Sequence, residues 1–130
     1  MADHDDSERK YTFLGVALLG AHIDLRGILR DLPIPVELPE LDEENKAEAL
    51  VGLDRARTLI ADEPISSSAK RAFQELILEW FTAYEVLALY KAAGFAPWRL
   101  DAVEFALSRF VALSEMIEEG DYGPPETDAL

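Results

Sequence analysis

The chain has 130 residues, enough for one domain around one continuous core and too few for a second domain of ordinary size. Hydrophobic residues make up 49% of it and charged residues 29%, which excludes global disorder. A formal net charge of -14, from 26 acids against 12 bases, disfavours direct binding to nucleic-acid phosphates or anionic membranes, and the absence of cysteine removes disulfides, thiolate metal sites and thiol nucleophiles.

The acidity has two readings. One is a solubilising surface, including adaptation to a salty cytoplasm, for which the excess of arginine over lysine fits a halophile. The other is recognition of a partner with a basic surface. The start, Met1-Ala2-Asp3-His4-Asp5-Asp6, is acidic where a secretory leader is basic. The strongly apolar stretch Tyr11 to Ile23 falls short of the roughly 20 residues that cross a bilayer. A soluble cytoplasmic protein is the expectation.

In chain order, residues 1–8 read as a flexible acidic arm, residues 9–120 as a helical domain and residues 121–130 as a flexible acidic tail. The first helix is predicted from about Arg9 to Asp31, because Tyr11, Leu14, Leu18, Leu25 and Ile28 recur at helical spacing. Phe13, Val16, Ala17, Leu19 and Ala21 extend its apolar character round most of the circumference, so it must be covered on more than one side. That makes it a central helix or part of an oligomer interface. Gly15 and Gly20, with Ala17 and Ala21, are expected to admit a neighbouring helix at close range or to shape a pocket.

Prolines at 33, 35 and 39 then forbid a helix and predict an extended strap whose Ile34, Val36 and Leu38 pack inward. A polyproline-type ligand for an aromatic groove is the functional alternative. The second helix is predicted from an Asp42 cap to about Ala61, with a narrow stripe of Ala49, Leu53, Ala56 and Ile60. Asp62-Glu63-Pro64 ends it, and Ser66, Ser67 and Ser68 offer caps for a third helix reaching about Ala93. That helix holds Phe73, Leu76, Ile77, Trp80, Phe81, Tyr84, Leu87 and Tyr90 at helical intervals. Gly94 supplies a left-handed stop, Pro97 opens a fourth helix, and Leu100, Val103, Leu107, Phe110 and Ile117 mark its inner face up to about Glu119. The expected architecture is all-α: a four-helix, bundle-like single domain of antiparallel helices with the strap between helices 1 and 2.

Catalytic apparatus is not legible. Nucleophile elbows, phosphate-binding glycine loops and zinc spacings are missing. Carboxylate-bridged di-metal bundles need two Glu-x-x-His pairs, and neither His4 nor His22 follows a glutamate by three; Glu75, Glu79 and Glu104 are expected on solvated faces. No metal and no cofactor is therefore expected. His22 shares a helical face with Leu18, Leu25 and Leu29, as a core-edge imidazole or a titrating group that accepts a partner's hydrogen bond. Arg109 aligns with Trp98, Phe105, Ala112 and Met116, either with its stem on Phe105 and its head in water or paired with a carboxylate. Trp80, Tyr84, Trp98 and Phe105 complete the candidate ligand or interface residues, and core filling explains most of the aromatic set.

The apolar faces are broader than one seam requires. The leading expectation is thus a non-enzymatic interaction or regulatory module that self-associates through apolar helix faces. The alternatives are a bundle that binds a small molecule or cofactor, anchored by His22 or Arg109, and an acidic inhibitor or antitoxin-like partner of a basic protein.

Overall fold

Residues 2–94 and 96–122 are described by a computed structural model, and four α-helices with one short 3-10 turn supply all the regular structure of those residues. The helices are α1 (Ala2–Arg30), α2 (Lys46–Leu59), α3 (Ser67–Ala93) and α4 (Pro97–Glu118), with the 3-10 turn Ile60–Asp62 closing α2.

Most boundaries follow the local chemistry. Ser66 Oγ accepts the backbone N–H of Ala69 at 3.1 Å and so caps α3. Gly94 ends that helix at φ 98, a left-handed conformation that penalises a side chain, and Pro97 stands in the first turn of α4. Two starts differ from expectation. Asp42 Oδ1 accepts the N–H of Asn45 at 2.8 Å and caps a separate turn, so α2 begins at Lys46. Helix α1 begins at Ala2, earlier than its apolar pattern required, and so takes in residues assigned to a flexible arm. Over Asp6–Arg30 it is long and apolar enough to cross a membrane by length and composition, although Tyr11 to Ile23 alone is not.

Inter-helix contacts fix the directions. Tyr11 stacks on Tyr90 at 5.6 Å, and Trp80 donates its indole N–H to the Leu18 carbonyl at 3.0 Å, so α1 and α3 run antiparallel. Lys10 near the start of α1 bridges Asp101 at 2.7 Å and Glu104 at 3.2 Å near the start of α4, whereas Ile28 and Leu32 share a groove with Ile117 and Tyr122 at the far end. Helices α1 and α4 are therefore parallel. Gln74 of α3 reaches the Arg57 carbonyl of α2 at 3.4 Å, while Leu50 lies by Phe81 and Glu85, so α2 opposes α3 and points the same way as α1. The expected all-antiparallel order is thereby corrected: α1, α2 and α4 point one way and α3 returns. The physical reason is the α1–α2 connection, which carries the chain back before α2 starts.

That connection has no regular element from residue 35 to 42. Val36 and Leu38 are buried as expected, with Val36 N–H donating to the Leu29 carbonyl at 3.1 Å. Ile34 is not; it is 57% exposed, and its backbone N–H is held by the Glu63 carboxylate at 3.0 Å. Pro39 lies so close to α2 that a Cβ at Gly52 would stand 2.9 Å from the proline Cδ, which explains a glycine inside that helix.

The core gathers the inward stripes of all four helices: Leu14, Leu18, Leu25 and Leu29 of α1, Leu53 and Ala56 of α2, Leu76, Ile77 and Trp80 of α3, and Leu100, Val103 and Phe110 of α4. Full burial of one such aliphatic or aromatic side chain stabilises by about 1.5–3 kcal/mol, so these stripes and not the surface charges decide the fold. Asp121 and Tyr122 continue this structure, the Tyr122 ring lying 6.2 Å from Phe73. The rest of the expected tail, residues 123–130, lies outside the described residues.

Candidate functional site

The six candidate residues separate into two groups on different parts of the molecule. His22, Trp80 and Tyr84 form an interior cluster. His22 is 2% exposed, its ring 5.3 Å from that of Trp80, and Tyr84 stacks on the same indole at 5.3 Å with 14° between planes. Phe81 meets the same indole edge-on at 5.9 Å. Helical spacing builds this cluster, since positions 77, 80, 81 and 84 of α3 fall on one face and Leu18 and His22 lie one turn apart on α1. The indole N–H is satisfied by the Leu18 carbonyl, so the ring fills the contact between the two helices with its polar tip paired.

His22 Nε2 is buried and has no hydrogen-bond partner, and Arg26, one turn further along, has a buried Nε in the same condition. Burial, followed by the Arg26 charge, lowers the His22 pKa from 6.5 to about 4. The imidazole is accordingly neutral at neutral pH.

Trp98, Phe105 and Arg109 lie on the outer face of α4. Trp98 is 62% exposed and Phe105 65%, and the Arg99 guanidinium sits 4.7 Å from a Trp98 ring centroid. Arg109 does not stay in water alone. Its Nε donates to Glu79 Oε2 of α3 at 2.8 Å, and that hydrogen bond is the main reason its pKa is raised. Glu104, weighed with Glu79 as a possible ligand partner, is bound to Lys10 instead. Among the described residues no group of three acids or histidines is placed to hold a metal ion.

Two further structural features lie outside the six. The outward face of α1 presents Phe13, Val16, Leu19 and Ile23, the first two and the last each about two-thirds exposed. Its signal was legible in the apolar character around that helix. Gly15 and Gly20 were expected to admit a neighbouring helix at close range or to shape a pocket, and within the described residues of this chain a Cβ at either meets nothing within 4 Å. Leu14, Leu18 and Leu25 take the inward side, so the glycines fall away from it. The second feature is Glu63, 4% exposed, whose carboxylate ties the α2–α3 turn to Ile34. A Glu-Pro at a helix end signals a stop and gives no hint of burial.

Grooves open elsewhere on the surface. One of about 400 Å³ lies where α1 and α4 end, walled by Ile28, Leu32, Ile65, Phe73 and Tyr122 with Asp31 and Glu118 at its rim. Another, of about 680 Å³, runs between α2 and α3 past Leu50, Leu78 and Phe81. Neither is lined by His22, Trp80, Arg109 or Phe105. Compared with known protein families, curated proteins and solved structures, the chain matches none of them.

Proposed function

We propose that this protein is a non-enzymatic helical interaction module that associates with copies of itself through the outward face of α1. The observation that carries the reading is the set Phe13, Val16, Leu19 and Ile23, exposed by 68%, 65%, 48% and 64% on one side of a helix whose other side is core. Contiguous exposed apolar surface marks an interaction site far more often than scattered single residues do. Covering half or more of eight such side chains in a pair of copies gains on the order of 10 kcal/mol. Association costs about 4–15 kcal/mol in translational and rotational freedom, so the expected pairing is concentration-dependent and not obligate.

The strip of Trp98 and Phe105 on α4 is a second apolar surface available to the same assembly. The connection from Leu32 to Leu41 serves in this reading as a strap that holds α2 to the bundle and leaves the α1 face clear; burial of Val36 and Leu38 supports it. The charge of -14 supports a cytoplasmic role apart from nucleic acid and anionic membranes.

Sedimentation equilibrium of the full chain and of the Val16→Glu, Ile23→Glu double variant tests the reading. The parent associates with rising concentration, and the double variant remains a monomer with unchanged far-ultraviolet circular dichroism. Added salt strengthens the parent's association, because two copies of the same acidic protein repel each other. A parent that stays monomeric into the millimolar range overturns the reading. Partition of that monomer into neutral vesicles assigns the α1 face to lipid, and salt-weakened capture of a basic protein assigns the molecule to the acidic-inhibitor class.

A further inference from the structure

We infer that the partner of the α1 face is the α1 face of a second copy in antiparallel orientation, with bulky side chains of one copy seated against glycines of the other. The inference rests on the self-association proposed above and adds its geometry. Arg9, Phe13, Val16, Gly20, Ile23 and Gly27 are all exposed and follow one another at intervals of four, three, four, three and four. Arg9, Val16 and Ile23 are spaced by sevens, as are Phe13, Gly20 and Gly27, and two positions per seven residues is the 3.5-residue period of a seam that stays against a neighbouring helix along its length.

Along this seam the side chains differ sharply in size. Gly20 and Gly27 are helix-weakening residues in the interior of α1, and a Cβ at either meets nothing within 4 Å, so nothing in the chain's own described fold requires them. Space beside them is a requirement only when something else approaches.

The two orientations use that space differently. A parallel pair sets each residue beside its own counterpart. Glycine then faces glycine in two layers, Phe13 crowds Phe13, and Arg9 and Arg30 each meet the same cation. In an antiparallel pair the two kinds of seam position face each other across the axis. Val16 then lies against Gly27 of the second copy and Ile23 against its Gly20, and Phe13 comes beside its Arg30, whose reach to Glu37 within its own chain is a loose 3.5 Å. Arg9, 81% exposed with Asp6 4.0 Å away, comes within a long side chain's reach of the second copy's Asp31. Size and charge both favour this arrangement, and opposed helix dipoles do so as well.

The chain contains no cysteine, so single introduced thiols report the orientation without background. Val16→Cys and Gly27→Cys are each oxidised alone and as an equimolar mixture, and the products are identified by intact mass under non-reducing conditions. Antiparallel pairing gives a mixed Val16→Cys/Gly27→Cys disulfide as the dominant dimer, at least about fivefold over either homodimer. Homodimers from each variant alone, with no enrichment of the mixed species, overturn it in favour of a parallel pair. Absence of every disulfide from variants that still sediment as dimers also overturns it and moves the interface to another face. If the parent itself sediments as a monomer, the underlying self-association fails with it. Circular dichroism of both variants confirms the fold, which these exposed positions leave undisturbed.

Discussion

The imidazole of His22 and the indole of Trp80 meet inside the α1–α3 interface at a centroid distance of 5.3 Å, tilted by 58°. Both belong to polar-tipped residues, but only one tip is satisfied. Trp80 donates to the Leu18 carbonyl, one turn before His22, whereas His22 Nε2 has no partner. A buried, unpaired ring nitrogen makes the neutral form of the histidine part of the folded state.

Stability should therefore fall as the medium is acidified. The folded pKa of about 4 lies below the ordinary 6.5, so the unfolded chain binds the extra proton between these values. Stability from this group is complete above about pH 6.5 and is lost as pH drops toward 4, a loss on the order of 3 kcal/mol. Burial is the larger cause and Arg26 the smaller. Urea melts of the parent and of His22→Phe across this range isolate the effect from the many carboxylates, which titrate in both proteins. A difference curve that stays flat from pH 6.5 to 4 rules out a depressed His22.

Replacing Trp80 separates its packing from its hydrogen bond. Trp80→Phe keeps an aromatic ring against Tyr84 and loses the 3.0 Å bond to Leu18 with part of the volume, for an expected cost of about 1–3 kcal/mol. Trp80→Ala empties a fully buried site and costs about 3–5 kcal/mol or prevents folding. Equal midpoints for parent and Trp80→Phe in denaturant would show that the indole tip is idle.

The two candidate residues that look most chemical in the sequence, His22 and Arg109, come to lie in unrelated places, and the reason shows what a one-dimensional pattern carries. Helical periodicity assigns a residue to a face, and it put Leu18, His22, Leu25 and Leu29 together on the inside of α1. It likewise put Leu100, Val103, Leu107, Phe110 and Ile117 inside α4. Periodicity does not say which neighbour a face meets. The Lys10 bridge to α4 and the parallel course of α1 and α4 depend on where the proline-bearing connection delivers α2, and the Arg109–Glu79 pair on how α4 folds back along α3 after Gly94. Glu63 was invisible for the same reason. Its burial follows from the return of Ile34 past the α2–α3 turn, a contact across 29 positions of sequence.

Glu63 offers a direct test of that return. Its carboxylate is the acceptor for the Ile34 N–H, and Glu63→Ala strands a part-buried donor at a cost of about 1–3 kcal/mol. Glu63→Gln retains an acceptor oxygen and removes a buried charge, so it should stay within about 1 kcal/mol of the parent. Hydrogen exchange at the Ile34 amide should quicken in the alanine variant and hardly change in the glutamine one. Matching exchange in all three proteins would place the tie elsewhere.

Arg109 should matter little to folding despite its short bond. The guanidinium side chain is 55% exposed and water competes for the same groups, so Arg109→Ala is expected to cost about 0–1 kcal/mol, less in high salt. A loss above 2 kcal/mol in a thermal melt at moderate salt would show that the pair anchors α4 to α3 more firmly than its exposure allows.

Glycines inside helices give opposite outcomes according to what stands beside them. At Gly20 a Cβ meets nothing within 4 Å, so in dilute monomer Gly20→Ala gains the ordinary helix preference of alanine, about 0.5–1 kcal/mol. At Gly52 the same methyl stands 2.9 Å from Pro39 Cδ. A proline ring has no flexible end to swing aside, so the helix gain there is offset by about 1–3 kcal/mol of overpacking and Gly52→Ala is destabilised or neutral. Association adds a second sign. If Ile23 of one copy seats against Gly20 of another, Gly20→Ala weakens pairing while it strengthens the fold, a combination that sedimentation and urea melts on the same samples resolve. A variant that folds better and pairs better would show that the space beside Gly20 is not used by a partner.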